Sequence, residues 1–266
     1  MNGRVLAVAG AKGGVGKTTT SLNLAAALGA DGRAVVVVEA DLAMANAVDF
    51  LDVEVGGRPS LHEVLAGRAG VESAVYPAPG GFDLVPSGTS LEGFTDANVS
   101  LFPEVVDALQ GRYDAVVIDT GAGVSRETVV PTGAADVTIL VSTPRVASVR
   151  DADKTMSVAR RAGAPVGGVV LTKSGTGRSP PAERIAQFLD TDLLGHVPQD
   201  AAVPESQDAG VPVVAHSPSS DAAVAYRGIT EELRKRPDLI GMGAGGDTGG
   251  FQFGNVDTAA DGGDRF

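Results

Sequence analysis

The chain has 266 residues, a net charge of −12 and a pI near 4.6, a length that suits one large α/β domain with a tail better than two independent domains. It has no Cys, which excludes a disulfide framework, a thiol nucleophile and a cysteine-ligated cluster. Its charged residues are unevenly chosen, 5 Lys against 16 Arg and 22 Asp against 11 Glu, with only 4% aromatics. That composition suits a high-salt cytoplasm, where the Debye length shrinks to about 3 Å, and the acidity is therefore not read as function.

From the N-terminus onward, apolar runs of strand length alternate with longer amphipathic segments, the pattern of parallel strands joined by crossover helices. Strands are predicted at Arg4–Ala9, Ala34–Glu39, Phe82–Pro86, Ala115–Asp119, Val137–Ser142, Val166–Leu171 and Leu193–Val197. Helices are predicted at Thr18–Leu28, Ser60–Leu65, Leu101–Leu109, Arg126–Ala134, Ser148–Arg161, Pro181–Leu189, Ala202–Ala209 and Asp221–Arg236. Ser60 with Glu63 reads as a capping box. In the last helix Val224, Tyr226, Ile229 and Leu233 form a stripe expected to pack on the sheet. Runs such as Val35 to Val38 suit strands covered on both faces. The fold class is thus α/β, a doubly wound and mostly parallel sheet of about seven or eight strands flanked by helices. Residues 1–240 are read as that domain. Residues 241–266, with nine Gly, are read as a disordered Gly/Asp-rich acidic tail.

The most informative stretch is Ala11 to Thr20, AKGGVGKTTT, directly after the first strand. A strand, a Gly-rich turn, Lys and two hydroxyl residues, then a helix, is how a backbone is built to hold a nucleotide triphosphate. Gly13, Gly14 and Gly16 let main-chain N–H groups turn toward phosphate oxygens, with Ala11 and Val15 completing the loop. Lys17 is expected at the β- and γ-phosphates, and Thr18 on magnesium. Thr19 is expected to cap the first turn and touch the α-phosphate. Ala11 stands where the motif has Gly and so requires a right-handed or extended backbone there.

In an open parallel sheet the ligand lies beyond the C-terminal ends of the strands. After the second strand, Asp41 is a candidate to orient the attacking water or hold the magnesium shell. At the end of the Ala115 run, Asp119 is a candidate magnesium group, and Gly121 and Gly123 allow that loop to approach a γ-phosphate. His62, His196 and His216 lack metal-ligand spacing and receive no chemistry. No run of eighteen apolar residues occurs and the first strand begins almost at once, so a cytoplasmic protein without a signal peptide is expected.

The stretch KGGVGKT, with Lys12 five residues before Lys17, resembles the deviant phosphate loop of the MinD/ParA family, the signature-lysine ATPases. The likeness runs from about Arg4 to Arg236, is nearest to MinD, and with the composition points to a halophilic archaeon. It implies that Lys12 crosses a dimer interface to the partner's nucleotide, a catalytic charge supplied in trans. It makes Asp41 the switch I aspartate with Asn46 nearby, puts Glu39 where relatives often have Asp, and makes Asp119 the Walker B acid. It also implies that Asp151 and Asp153 lie near the dimer and partner surface. Thr172, Lys173, Pro198 and Asp200 would contact the base, and adenine over guanine rests on the likeness alone.

The expected function is an ATP- and Mg2+-dependent homodimerisation switch with slow hydrolysis. Its task would be positioning a division site, a motility machine or another polar structure through a protein partner or adaptor. The acidic end of the chain lacks a basic amphipathic helix, which argues against a direct membrane anchor. The alternatives are a ParA-type partition ATPase on DNA, disfavoured by net −12, and a non-hydrolysing nucleotide-bound regulatory scaffold.

Overall fold

Eight strands form one sheet: β1 (Arg4–Gly10), β2 (Val35–Ala40), β3 (Tyr76–Ala78), β4 (Phe82–Val85), β5 (Ala115–Ala122), β6 (Val137–Ser142), β7 (Val166–Ser174) and β8 (Leu193–Pro198). Their order is β3-β4-β2-β5-β1-β6-β7-β8. The structure is a computed structural model and describes residues 2–123, 125–175, 179–236 and 239. Every pairing is parallel except β3 with β4. β3 was not expected. Its three residues include Pro77, which a sheet tolerates at an edge, and so short a segment carries no periodicity to read.

The helices are α1 (Lys17–Ala30), α2 (Leu61–Leu65), α3 (Leu91–Asp96), α4 (Phe102–Gln110), α5 (Arg126–Gly133), α6 (Val146–Arg161), α7 (Ala182–Phe188), α8 (Ala202–Asp208), α9 (Val213–His216) and α10 (Asp221–Arg234). The capping box forms: Ser60 Oγ accepts from the backbone of α2 while Glu63 Oε2 accepts the Ser60 N–H at 2.9 Å. The short α3 and α9 were not expected.

Alternation along the central strands sends side chains into two layers. Leu6, Val8, Val35, Val37 and Val117 pack with Leu22, Leu24 and Leu28 of α1 and Tyr226, Ile229 and Leu233 of α10. Val5, Ala7, Val36, Val38, Val116 and Ile118 pack with Phe102, Val106 and Leu109 of α4. Burial on both faces is why these strands read as unbroken apolar runs. α10 closes the domain as expected, but Val224 is 52% exposed, so the apolar stripe is narrower than the one read from the sequence.

Several elements run beyond their expected ends, and β5 does so consequentially. It continues past Asp119 to Ala122, because Gly10 pairs with Ala122 across the sheet. Asp119 therefore sits within a strand. The chain passes from β5 to β6 across β1, and at such a topological switch the strand exits open a crevice. Among the described residues no helix is long and apolar enough to cross a membrane. The expected disordered tail, 241–266, lies outside the described residues.

Candidate active site

The exit of β1 turns sharply through Gly14 (φ 74°) and Gly16 (φ 93°), both left-handed, a conformation open to Gly at no steric cost. Among the described residues only Lys173 and Asp190 have positive φ without being Gly, so Ala11 meets the backbone condition that its place in the motif sets. Gly16 is the N-cap of α1 and no side chain caps that helix. Thr19 therefore does not cap it. It lies inside the first turn, where its hydroxyl accepts from Gln207 Nε2 at 3.1 Å. The uncapped N–H groups and the positive end of α1 face the crevice, an arrangement that favours an anion.

Lys17 is only 8% exposed. Its Nζ donates to the Lys12 carbonyl at 3.4 Å. Burial lowers its pKa, while the charges of Asp119 and Asp41 hold the proton on. Lys12 lies outward, with Nζ 3.7 Å from Asp151 Oδ2 at the start of α6, and Asp151 also meets Lys154 at 3.3 Å. Asp153 is exposed on the same helix.

Asp119 is buried beneath Lys17, where burial pushes its carboxyl up to about 6 against the hydroxyls of Thr18 and Ser21 and the charge of Lys17. Ser21 Oγ stands 2.9 Å from Asp119 Oδ1. Hydroxyls of α1 and a carboxylate of β5 thus converge, an oxygen set that suits magnesium. Asp41 caps its own turn, its Oδ1 accepting from Met44 N at 3.1 Å. Its carboxylate rests against Gly121, where an added Cβ would come within 3.3 Å of Asp41 Cγ. Gly123 (φ 94°) turns the chain out of β5 into open space.

The opposite wall comes from later strands. Thr172 Oγ1 donates to the Val15 carbonyl at 2.5 Å, and Lys173 Nζ to the Gly14 carbonyl at 2.8 Å, so both brace the phosphate loop. The Asp200 carboxylate accepts from Ala202 N at 2.9 Å and Ala222 N at 3.0 Å, joining the starts of α8 and α10. Together these walls enclose a cavity of about 780 Å³, within the range of small-ligand sites. Gly13, Gly14, Lys17, Thr18, Asp41 and Asn46 line it from the side of the phosphate loop and β2, and Thr172, Lys173, Pro198 and Asp200 from that of β7 and β8. Ala11, Lys12, Val15, Asp119 and Gly123 do not reach it. A glycine loop with a buried ammonium, and apolar lining from Phe50, Val197, Pro198 and Val203, fit a nucleotide.

Four contributors that sequence reading missed stand out. Phe50 and Gln207 line the cavity but carry no motif, and Ser21 is hidden in the helix pattern. The fourth is His62, 1% exposed, whose Nε2 lies 3.1 Å from the Leu42 carbonyl. Glu39 stands where the family resemblance expects Asp. It proves fully buried, its pKa pushed up to about 7 by burial against three backbone N–H groups. A charged residue inside an apolar strand was the one available signal.

The sequence matches the CobQ/CobB/MinD/ParA nucleotide binding domain over residues 6–213. It is 36% identical over 230 residues to an ATP-binding protein of Methanocaldococcus jannaschii, covering 86% of each chain. The fold superposes on the cell division ATPase MinD of Pyrococcus furiosus with a TM-score of 0.84 and 34% identity, over 88% of this chain and 99% of that one. The MinD of Pyrococcus horikoshii, solved with Mg-ADP, gives 0.83 and 34%, over 87% and 96%. The site and the whole-domain likeness agree: the chain belongs to the CobQ/CobB/MinD/ParA nucleotide-binding family.

Proposed function

We propose that this protein is an ATP-hydrolysing dimerisation switch of the MinD/ParA type, used to position a division site, motility machine or other polar structure. The observation that carries the reading is the buried Lys17, framed by Asp41 and Asp119 at the end of a left-handed glycine loop. The Mg-ADP bound by the Pyrococcus horikoshii relative supports ATP and Mg2+ as the ligands. The switch is assigned to residues 1–240, with 241–266 an acidic tail.

Each residue has a separable task. The loop amides from Gly13 to Thr18 and the Lys17 ammonium bind and orient the β- and γ-phosphates. Thr18 and Asp119 would hold magnesium, with Asp41 in its shell; when bound, the ion neutralises charge on the phosphates. Asp41 orients the attacking water. Lys12, on the outer side of the loop, exchanges Asp151 for the nucleotide of a second copy, adding positive charge at the transferring phosphate. Bound γ-phosphate favours the closed pair because only that state makes these contacts.

Phosphate release from ATP at high salt tests the reading. Wild type is expected to turn over slowly, Lys17→Ala to lose turnover and nucleotide binding together, and Asp41→Ala to lose turnover while still binding ATP, each by roughly 10²-fold or more. Binding without turnover in wild type would instead support the regulatory scaffold.

A further inference from the structure

The loop from Asp41 to Ala47 carries the aspartate assigned to the attacking water, and its middle is open, with Met44 72% exposed. Its ends are not open. At the near end His62 of α2 holds the Leu42 carbonyl. At the far end the carboxylate of Glu39, two residues before Asp41 on β2, takes over. Glu39 Oε1 accepts from Asn46 N at 2.6 Å and Ala47 N at 2.7 Å. Its Oε2 accepts from Ser87 N at 3.0 Å, beyond β4, and Ser87 Oγ returns a bond to the Glu39 carbonyl at 2.8 Å.

One fully buried carboxylate therefore ties three chain segments: its own strand, the end of the Asp41 loop and the exit of β4. A neutral hydroxyl or amide could not accept from all three N–H groups, since an amide has a single acceptor oxygen and its NH2 would face a donor. Losing the bond to Ala47 or to Ser87 leaves a buried N–H unpaired, so the segments have a strong reason to move together. Asp41 lies between Glu39 on β2 and the Leu42 anchor, with its carboxylate against Gly121.

We propose that Glu39 is a positioning residue for turnover: by clamping Asn46, Ala47 and Ser87 it fixes the loop that carries Asp41 on the phosphate-loop side of the cavity. The inference rests on the role given to Asp41 above and goes beyond it in naming the group that sets that role. Glu39 itself touches neither nucleotide nor metal in this account. Its loss should therefore appear in kcat and in loop order, and leave the affinity for ADP intact.

The test compares wild type, Glu39→Gln and Glu39→Asp in the full chain by steady-state ATP hydrolysis, ADP affinity and residue-resolved amide hydrogen exchange. Glu39→Gln is expected to lower kcat roughly 10- to 100-fold with ADP affinity unchanged, and to speed exchange at Asn46, Ala47 and Ser87 above other loop amides. Glu39→Asp, which keeps the charge but is one methylene shorter, should fall between the two on both readouts. Wild-type kcat in Glu39→Gln, or ADP affinity falling in parallel with kcat, would overturn the proposal. If wild type does not hydrolyse ATP, the proposed function fails, and unchanged exchange at the three amides would separately overturn the clamp. Should Glu39→Gln not fold, exchange in Glu39→Asp identical to wild type would do the same.

Discussion

Residues 11–20 build the phosphate loop from one contiguous stretch, whereas the wall across the cavity is assembled from the exits of β7 and β8, from α8 and from α10. In the loop, function follows from backbone: left-handed Gly14 and Gly16 and an uncapped helix start. In the wall it follows from side chains that reach across long separations in sequence, such as Thr172 to Val15 and Gln207 to Thr19. The contrast shows that the loop is not self-sufficient. Two of its carbonyls, those of Gly14 and Val15, are held by β7.

The largest effect expected from breaking that dependence is at Thr172. Thr172→Val keeps the shape but leaves the buried Val15 carbonyl without its hydroxyl donor, a loss of about 1–3 kcal/mol. Calorimetric titration with Mg-ADP should show affinity lower by roughly tenfold or more. Unchanged affinity would mean that the loop holds its form unaided.

A smaller effect is expected at Asp200, which ties the far side of the wall together. The backbone N–H groups of Ala222 and Ala202 hold its carboxyl below the usual carboxylate range. The folded state thus favours the charged form: the contribution is complete above the ordinary pKa of 3.8 and is lost as pH falls through the depressed folded value. Asp200→Ala, which removes the acceptor of both backbone N–H groups, should cost about 1 kcal/mol near neutral pH. In urea unfolding, its difference from wild type should close as the pH drops below that ordinary value. A constant difference across the range would contradict the assignment.

The same contrast explains what could be read before the fold was seen. Strand and helix order was legible because two-sided burial writes itself as apolar runs, as at Val35 to Val38, and the phosphate loop because its parts are adjacent. β3 escaped because three residues at an edge leave no period. The commitment of Thr172 and Lys173 to the phosphate loop escaped because only the sheet order sets β7 two strands from β1. Glu39 could be noticed as an oddity, but its partners at 46, 47 and 87 meet only once β2 and β4 are paired.

The central claim is that nucleotide controls association, and oligomeric mass by light scattering at high salt tests it most directly. Wild type is expected to be monomeric with Mg-ADP and dimeric with Mg-ATP, Asp41→Ala to stay dimeric once ATP is bound, and Lys12→Ala to remain monomeric with either nucleotide. A wild-type mass that is the same with ADP and with ATP would contradict the account.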